Sequence, residues 1–304
     1  GELLPNADAI VNPNRHDCEF PSKSIAGVGV AFYLLIALRS AMRDLGHFEQ
    51  SSPPNLAELL DIVALGTVAD VVALDANNRT LVHQGLARIR SGNTRPGITA
   101  LIEVANRNAA RLSASDFGFS LAPRLNAAGR LDDMSLGIAC LLSADINQAR
   151  RIASELDSLN HERREIEQGM QTEAQAVLDR LAFSGDTVPD AICLYQEDWH
   201  QGVIGILAGR LKEKYHRPTV IFAGGDNGEI KGSCRSIEGL HMRDLLERLN
   251  TLHPHLISKF GGHAMAAGLS INEQHFSEFK QAFEHAVSAQ LSEEHMQCII
   301  LTDG

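Results

Sequence analysis

Paired cysteines, a long apolar run, an N-terminal leader and a positive charge balance are all missing from this 304-residue chain. Its five cysteines, Cys18, Cys140, Cys193, Cys234 and Cys298, are scattered and odd in number, with no Cys-x-x-Cys pair among them. That pattern excludes a disulfide framework and a structural zinc site, and it suits a reducing cytoplasm. No apolar stretch is long enough to cross a bilayer, and no basic-then-hydrophobic segment opens the chain. It starts at Gly1 without an initiator methionine and reads as an internal piece of something longer. Acidic residues outnumber basic ones, 38 to 27, for a formal net charge of −11. A protein that coats duplex DNA by charge alone should be basic, so that class is excluded. A local cationic channel is not, because screening limits distant charge to about 10 Å at 0.1 M salt. Also missing are Asp-x-Asp and Asp-His-His. A two-metal phosphodiester site needs several such donors around ions about 3.5–4 Å apart. His16-Asp17 is the nearest imitation, and its polar loop favours a solvated pair.

At 44% hydrophobic and 21% charged residues, the composition is that of a globular protein, and the length suggests two domains. The first part reads as helices: 28–39, an apolar stretch 56–72 behind an Asn55/Glu58 capping box, 78–91, 98–106 and 134–142. Asp145 and Gln148 make a second capping box. Beyond it Ile152, Leu156, Leu159, Ile166, Met170, Val177 and Leu181 recur at helical spacing. One helix over 146–181 would be roughly 50 Å long, which suits a connector, with Gly169 as a weak point. After residues 185–189 the pattern alternates. Strands are expected at 191–195, 218–223, 229–236 and 269–271, and helices at 203–214, 242–252 and 276–291. This implies an α/β domain with a mixed sheet. The domains expected are 1–141, a connector at 142–186, and 187–304.

Chemistry concentrates in a few segments. Residues 259–268, Lys-Phe-Gly-Gly-His-Ala-Met-Ala-Ala-Gly, avoid the volume that a packed core wants. Gly261 and Gly262 permit a sharp turn and a close approach, and Gly268 a second one. Their exposed N–H groups suit an anion such as phosphate, with the His263 imidazole aimed at it. The alternative is a glycine-rich hairpin with a surface histidine. Asp70 lies in an apolar stretch, where a carboxylate is costly unless paired, hydrogen-bonded or bound to metal; little solvent and metal ligation are expected there. Arg124, Asn126 and Arg130 sit among small residues and suit phosphate oxygens, which arginine grips bidentately. The alternative is a salt bridge to Asp132 or Asp133. On the strand 229–236, Ser233, Arg235 and Ser236 are candidate phosphate contacts, with Arg235 facing away from Cys234 and Ser236. His200, Gly202 and Gly205 precede or open a helix whose N-terminus can face an anion. Trp199, the single tryptophan, is a candidate base-stacking residue, although packing is its commoner use.

Together these segments resemble the DHH phosphoesterase superfamily, and within it the bacterial single-stranded-DNA exonucleases. The stretches are NPNRHDCEFPSKSIAGVGVAF, LLDIVALGTVADVVALDANNR, PRLNAAGRLDD, LNHERREIEQGM, WHQGVIGILAGRLKE, KGSCRSI and KFGGHAMAAGLSI. They run from near residue 10 to about residue 271. GGHxxAAG is the hallmark of the DHH-associated C-terminal domain. The resemblance implies a partial DHH phosphoesterase domain joined by a long helix to a smaller DHH-associated α/β domain. It implies 5′→3′ hydrolysis of single-stranded DNA in repair and recombination, Mn²⁺ or Mg²⁺ as cofactor, and Asp70 as catalytic residue and metal ligand. It further implies that Arg124, Asn126 and Arg130 bind the scissile or 5′-terminal phosphate, and that Ser233, Arg235, Gly262 and His263 form the substrate-binding face across from them. The earlier metal-binding motifs, Asp-His-His included, are absent, as is the family's oligonucleotide-binding domain. The chain alone is therefore expected to be inactive, with exposed core surface in its first 141 residues. Two alternatives are an oligonucleotide or cyclic-dinucleotide phosphodiesterase and a non-catalytic single-stranded nucleic-acid-binding module.

Overall fold

The computed structural model describes residues 6–15, 17–183, 189–291 and 295. Its internal contacts separate two units, Gly1–His161 and Glu162–Gly304, a division that falls inside the longest helix.

Among its described residues the first unit holds helices and turns only: α1 (Gly27–Asp44), α2 (Leu60–Ala69), α3 (Ala76–Arg90), α4 (Pro96–Val104), the single turn α5 (Ala114–Asp116), α6 (Ala122–Leu131), α7 (Ser135–Leu142) and the start of α8 (Ile146–Phe183). Asn55 caps as its sequence predicts, its side chain accepting from the Ala57 N–H, but the turn it opens is a 3₁₀ segment, Leu56–Leu59, that leads into α2. The core gathers the fully buried Ala64, Ile89, Ile98, Leu101, Phe117 and Leu121. One carboxylate is buried with them. Asp61, 1% exposed, is bonded by the Arg95 side chain at 3.0 Å and by the Thr94 hydroxyl at 2.8 Å. Burial pushes the Asp61 carboxyl up, but these donors outweigh it and hold it below the usual carboxylate value.

α8 runs 38 residues without a break at Gly169, about 57 Å at the helical rise. Asp145 caps it, accepting from the N–H groups of Asn147 and Gln148. Its first turns bury Ala149, Ala153 and Leu156 in the first unit. Its later turns belong to the second unit, where Glu167 accepts from Arg210.

The second unit is built on one five-stranded sheet: β1 (Ile192–Gln196), β2 (Thr219–Gly224), β3 (Glu229–Arg235), β4 (Lys259–Gly262) and β5 (Ala266–Asn272), in the order β1-β2-β3-β5-β4. β1 and β2 are parallel and the other pairs antiparallel, so the sheet is mixed, as expected. α9 (Ile204–Tyr215) packs on β2 and β3. α10 (Met242–Leu252) and α11 (Phe276–Ser288) complete the unit. β4 has no sequence signal, because half of its four residues are glycine. The core side carries Phe222, Ile230, Cys234, Leu269, Phe279 and Phe283. Phe222 lies edge-on to Phe279, with ring centroids 5.4 Å apart. Gly232 makes room for that ring, since a Cβ there would sit 2.5 Å from Phe222 Cε1. Burial pushes the Cys234 thiol up to about 12.

Candidate nucleic-acid interface

In the first unit, α2 stops at Ala69, and Asp70 is its C-cap. Val71 follows with φ +56°, a left-handed conformation that a β-branched residue rarely adopts. That kink ends the helix short of the apolar run and turns Asp70 outward. Asp70 is exposed, which corrects the expectation of a carboxylate starved of solvent. It lines an open cavity of about 350 Å³ with Ala26, Gly27, Val28, Gly66, Ala69 and Asn126. Asp70 and Asn126 thus line the same cavity.

The donors do not amount to a metal centre. Asp70 is the only acidic residue of that cavity, and no group of three His, Cys, Asp or Glu among the described residues could hold an ion. His16 lies outside the described residues, and Asp17 bonds Arg15.

The segment PRLNAAGR is helical, with Pro123 in the first turn of α6. Residues four apart share a helix face, so Asn126 and Arg130 fall on one side and Arg124 on another. Asn126 and Arg130 are exposed. Arg124 is buried, donating to Asp157 Oδ1 at 2.7 Å and to the Ser120 carbonyl at 2.6 Å. This corrects both expectations for Arg124. It is committed to an ion pair, and the partner is Asp157 on α8 rather than Asp132 or Asp133.

In the second unit the register defines a sheet face. Ser233 on β3 pairs with Gly268 on β5, which pairs with Gly261 on β4. This row has no bulk at its open end. A Cβ on Gly261 would meet nothing within 4 Å, and one on Gly268 would come no closer than 3.8 Å to any atom. Gly262 differs. Its φ is +149°, and a Cβ would lie 2.4 Å from Ala267 Cα, so this glycine is required by the hairpin itself. His263 begins the hairpin tip, exposed, its N–H donating to the Ala266 carbonyl at 2.8 Å. The segment is therefore both the glycine-rich hairpin and a bare platform.

Arg235 lies two residues along β3 from Ser233, on the same face. Its Nη1 donates to Ser233 Oγ at 3.1 Å and to the Cys234 carbonyl at 2.8 Å. The guanidinium is half-buried, and no carboxylate is within ion-pairing distance among the described residues. Desolvation holds its pKa below the usual arginine value. A partly dehydrated cation without a counter-ion is an unmet electrostatic demand, and an anion is the group that meets it. Gly205, in the first turn of α9, comes close: a Cβ there would sit 3.0 Å from Ser233 Oγ and 3.1 Å from Arg235 Nη2. The start of α9 therefore adjoins the arginine, although the N–H groups of Ile204 and Ile206 are already bonded to the His200 and Val203 carbonyls.

Three candidates have structural roles instead. Ser236 is buried, its hydroxyl donating to the Leu240 carbonyl at 2.7 Å and its N–H to Met265 O at 2.9 Å. It ties the turn after β3 to the hairpin tip. His200 accepts the Gly202 N–H on Nδ1 at 3.0 Å, which commits that N–H to the loop rather than to an anion. Trp199 is 4% exposed and donates from Nε1 to Glu173 on α8 at 2.7 Å, so its ring offers no face to a base. Conversely, Lys231 and Lys259 stand exposed beside the platform. Period-two alternation through Lys231, Ser233 and Arg235 was the signal for the first of them.

Comparison with known proteins supplies relatives along the chain. The DHHA1 domain family matches residues 189–289, the sheet-bearing unit. Together with the relatives that follow, that match places the chain in the DHH phosphoesterase class. The single-stranded-DNA-specific exonuclease RecJ of Salmonella typhimurium is 60% identical over 306 residues, covering 100% of this chain and 53% of that protein. RecJ of Bacillus subtilis is 34% identical, covering 97% of this chain and 35% of its own length. Among solved structures, exonuclease RecJ bound to manganese is 30% identical with a TM-score of 0.75, covering 98% of this chain and 69% of that one. RecJ from Thermus thermophilus with Mg²⁺ gives 33% identity and a TM-score of 0.72, covering 89% of this chain and 39% of that one. The chain belongs to the RecJ family, and it spans about half the length of its enterobacterial relatives.

Proposed function

We propose that this chain is the substrate-gripping portion of a single-stranded-DNA exonuclease that works from a 5′ end in DNA repair and recombination. The half-buried Arg235, without a carboxylate partner among the described residues and set beside Ser233, Gly205 and two open glycines, carries the reading. A terminal phosphate accepts hydrogen bonds from Arg235 and Ser233 while the sugar and base lie over Gly268 and Gly261. Asn126 and Arg130 serve the phosphate near Asp70 on the other unit. His263, exposed at the hairpin tip, adds a donor or acceptor at the platform's edge. Four free thiols among the described residues agree with a reducing cytoplasm.

The divalent ion present in the solved relatives, Mn²⁺ or Mg²⁺, needs more ligands than Asp70 supplies. We therefore expect this polypeptide by itself to bind single strands without cleaving them, which also accommodates the binding-module reading. Two measurements on the purified chain test this. Single-stranded DNA should bind more tightly than duplex DNA and lose most of its affinity in Arg235→Ala. Incubation with Mn²⁺ and a 5′-labelled strand should release no nucleotides. Equal duplex binding would overturn the first statement, and Mn²⁺-dependent release the second.

A further inference from the structure

The platform continues past the glycine row. Two residues further along β3 and β5, Lys231 pairs with Ser270, and Ser270 pairs with Lys259 on β4. The alternation that puts Ser233 and Arg235 on the open face puts Lys231 there too. Gly261 and Lys259 share that face by the same rule on β4. Both lysines are exposed, and neither has a hydrogen bond or ion pair among the described residues. The face therefore reads, in rows, Arg235 and Ala266, then Ser233, Gly268 and Gly261, then Lys231, Ser270 and Lys259. Cations stand at both ends, with a floor of small residues between them. One row further the sign reverses. Glu229 pairs with Asn272, and a cavity of about 410 Å³ there is lined by Asp226, Asn227, Glu229, Lys231, Ser258 and Asn272.

We infer that Lys231 and Lys259, with the Ser270 hydroxyl between them, form a second phosphate site, and that the strand leaves the sheet at the acidic row beyond it. This rests on the reading that Arg235 and Ser233 hold the first phosphate. The rows of Arg235 and Lys231 are four residues apart, about 13 Å at the strand rise. Stacked nucleotides advance only about 3.4 Å each. The two sites therefore hold phosphates that are not neighbours, and the nucleotides between them cross the glycine row. Glu229 and Asp226 repel a third phosphate, which fixes the footprint on this unit. The ligand is a single strand several nucleotides long rather than a dinucleotide.

The test is fluorescence anisotropy with the whole chain and two labelled, 5′-phosphorylated oligothymidylates, a dinucleotide and a twelve-nucleotide strand, over a range of salt. Lys231→Gln with Lys259→Gln should weaken the longer strand about tenfold. It should also reduce the steepness of log affinity against log salt by about 1.4, two contacts at about 0.7 each. The dinucleotide should bind as before, and Lys231→Arg with Lys259→Arg should restore the wild-type slope. Circular dichroism confirms folding, since both side chains are exposed. If the glutamine pair leaves the long strand unaffected while Arg235→Ala weakens both ligands, the second site is wrong and the first stands. If Arg235→Ala also changes nothing, or the unmodified chain shows no salt-dependent binding, the underlying reading fails with it.

Discussion

Two adjacent glycines should respond to the same substitution in opposite ways. At Gly262 a Cβ would lie 2.4 Å from Ala267 Cα and 2.5 Å from the Ala266 carbonyl oxygen, both backbone atoms that cannot step aside. The residue also holds φ at +149°, which costs an alanine about 1–3 kcal/mol of backbone strain. Overpacking adds about 1–3 kcal/mol. Gly262→Ala should therefore cost about 2–6 kcal/mol, a large share of the roughly 5–15 kcal/mol that holds a domain together. At about 2–4 °C per kcal/mol, the melting temperature should fall by about 4–24 °C. At Gly261 nothing lies within 4 Å of the added methyl. The same change there removes only unfolded-state freedom and should stabilise by about 0.4–1 kcal/mol. Gly261→Val should fold normally but obstruct the platform, weakening single-stranded DNA several-fold. Thermal melts of the three variants, with oligonucleotide titration of those that fold, decide the matter. Equal destabilisation at both positions, or undiminished DNA binding by Gly261→Val, would refute the reasoning.

Three further predictions concern the scaffold. Asp61→Asn should cost about 2–3 kcal/mol by chemical denaturation, less than the roughly 3–5 kcal/mol of a fully buried pair, because the Arg95 side chain stays 19% exposed. Since the folded carboxyl of Asp61 is held below its usual 3.8, its contribution is present above that value and vanishes as pH falls through the lowered one, so wild type and variant should converge in acid. Arg124→Ala should destabilise by about 2–4 kcal/mol by stranding Asp157, whereas Asn126→Ala at an exposed position should stay within about 0.5 kcal/mol of wild type. Trp199→Phe should lose about 1 kcal/mol with the Glu173 hydrogen bond and leave DNA affinity unchanged; a marked drop in affinity would reinstate base stacking.

Periodicity and capping made most of the fold legible. The Asp145 cap and the heptad-like apolar stripe located α8 to within two residues at its far end, and the bounds expected for α10 were those found. What periodicity could not convey was partnership. Arg124 looks like a phosphate ligand because its neighbours are small, yet its guanidinium is held by Asp157, thirty-three positions away. Asp70 seemed buried because its neighbours are apolar, but the left-handed Val71 turns it to solvent, and no local pattern announces a valine in that conformation. The platform was half readable. The glycines proclaimed a close approach, whereas the cross-strand register that sets Ser233, Gly268 and Gly261 in one row exists only once the sheet forms.

Hydrogen exchange with and without a 5′-phosphorylated single strand bears most directly on the claim that this sheet face grips nucleotide esters. Protection should appear at residues 231–235, at 259–268 and in the first turn of α9, and it should be absent from α10 and α11. Protection confined to the helices α10 and α11, or none on β3 and the β4–β5 hairpin at saturating ligand, would contradict the account.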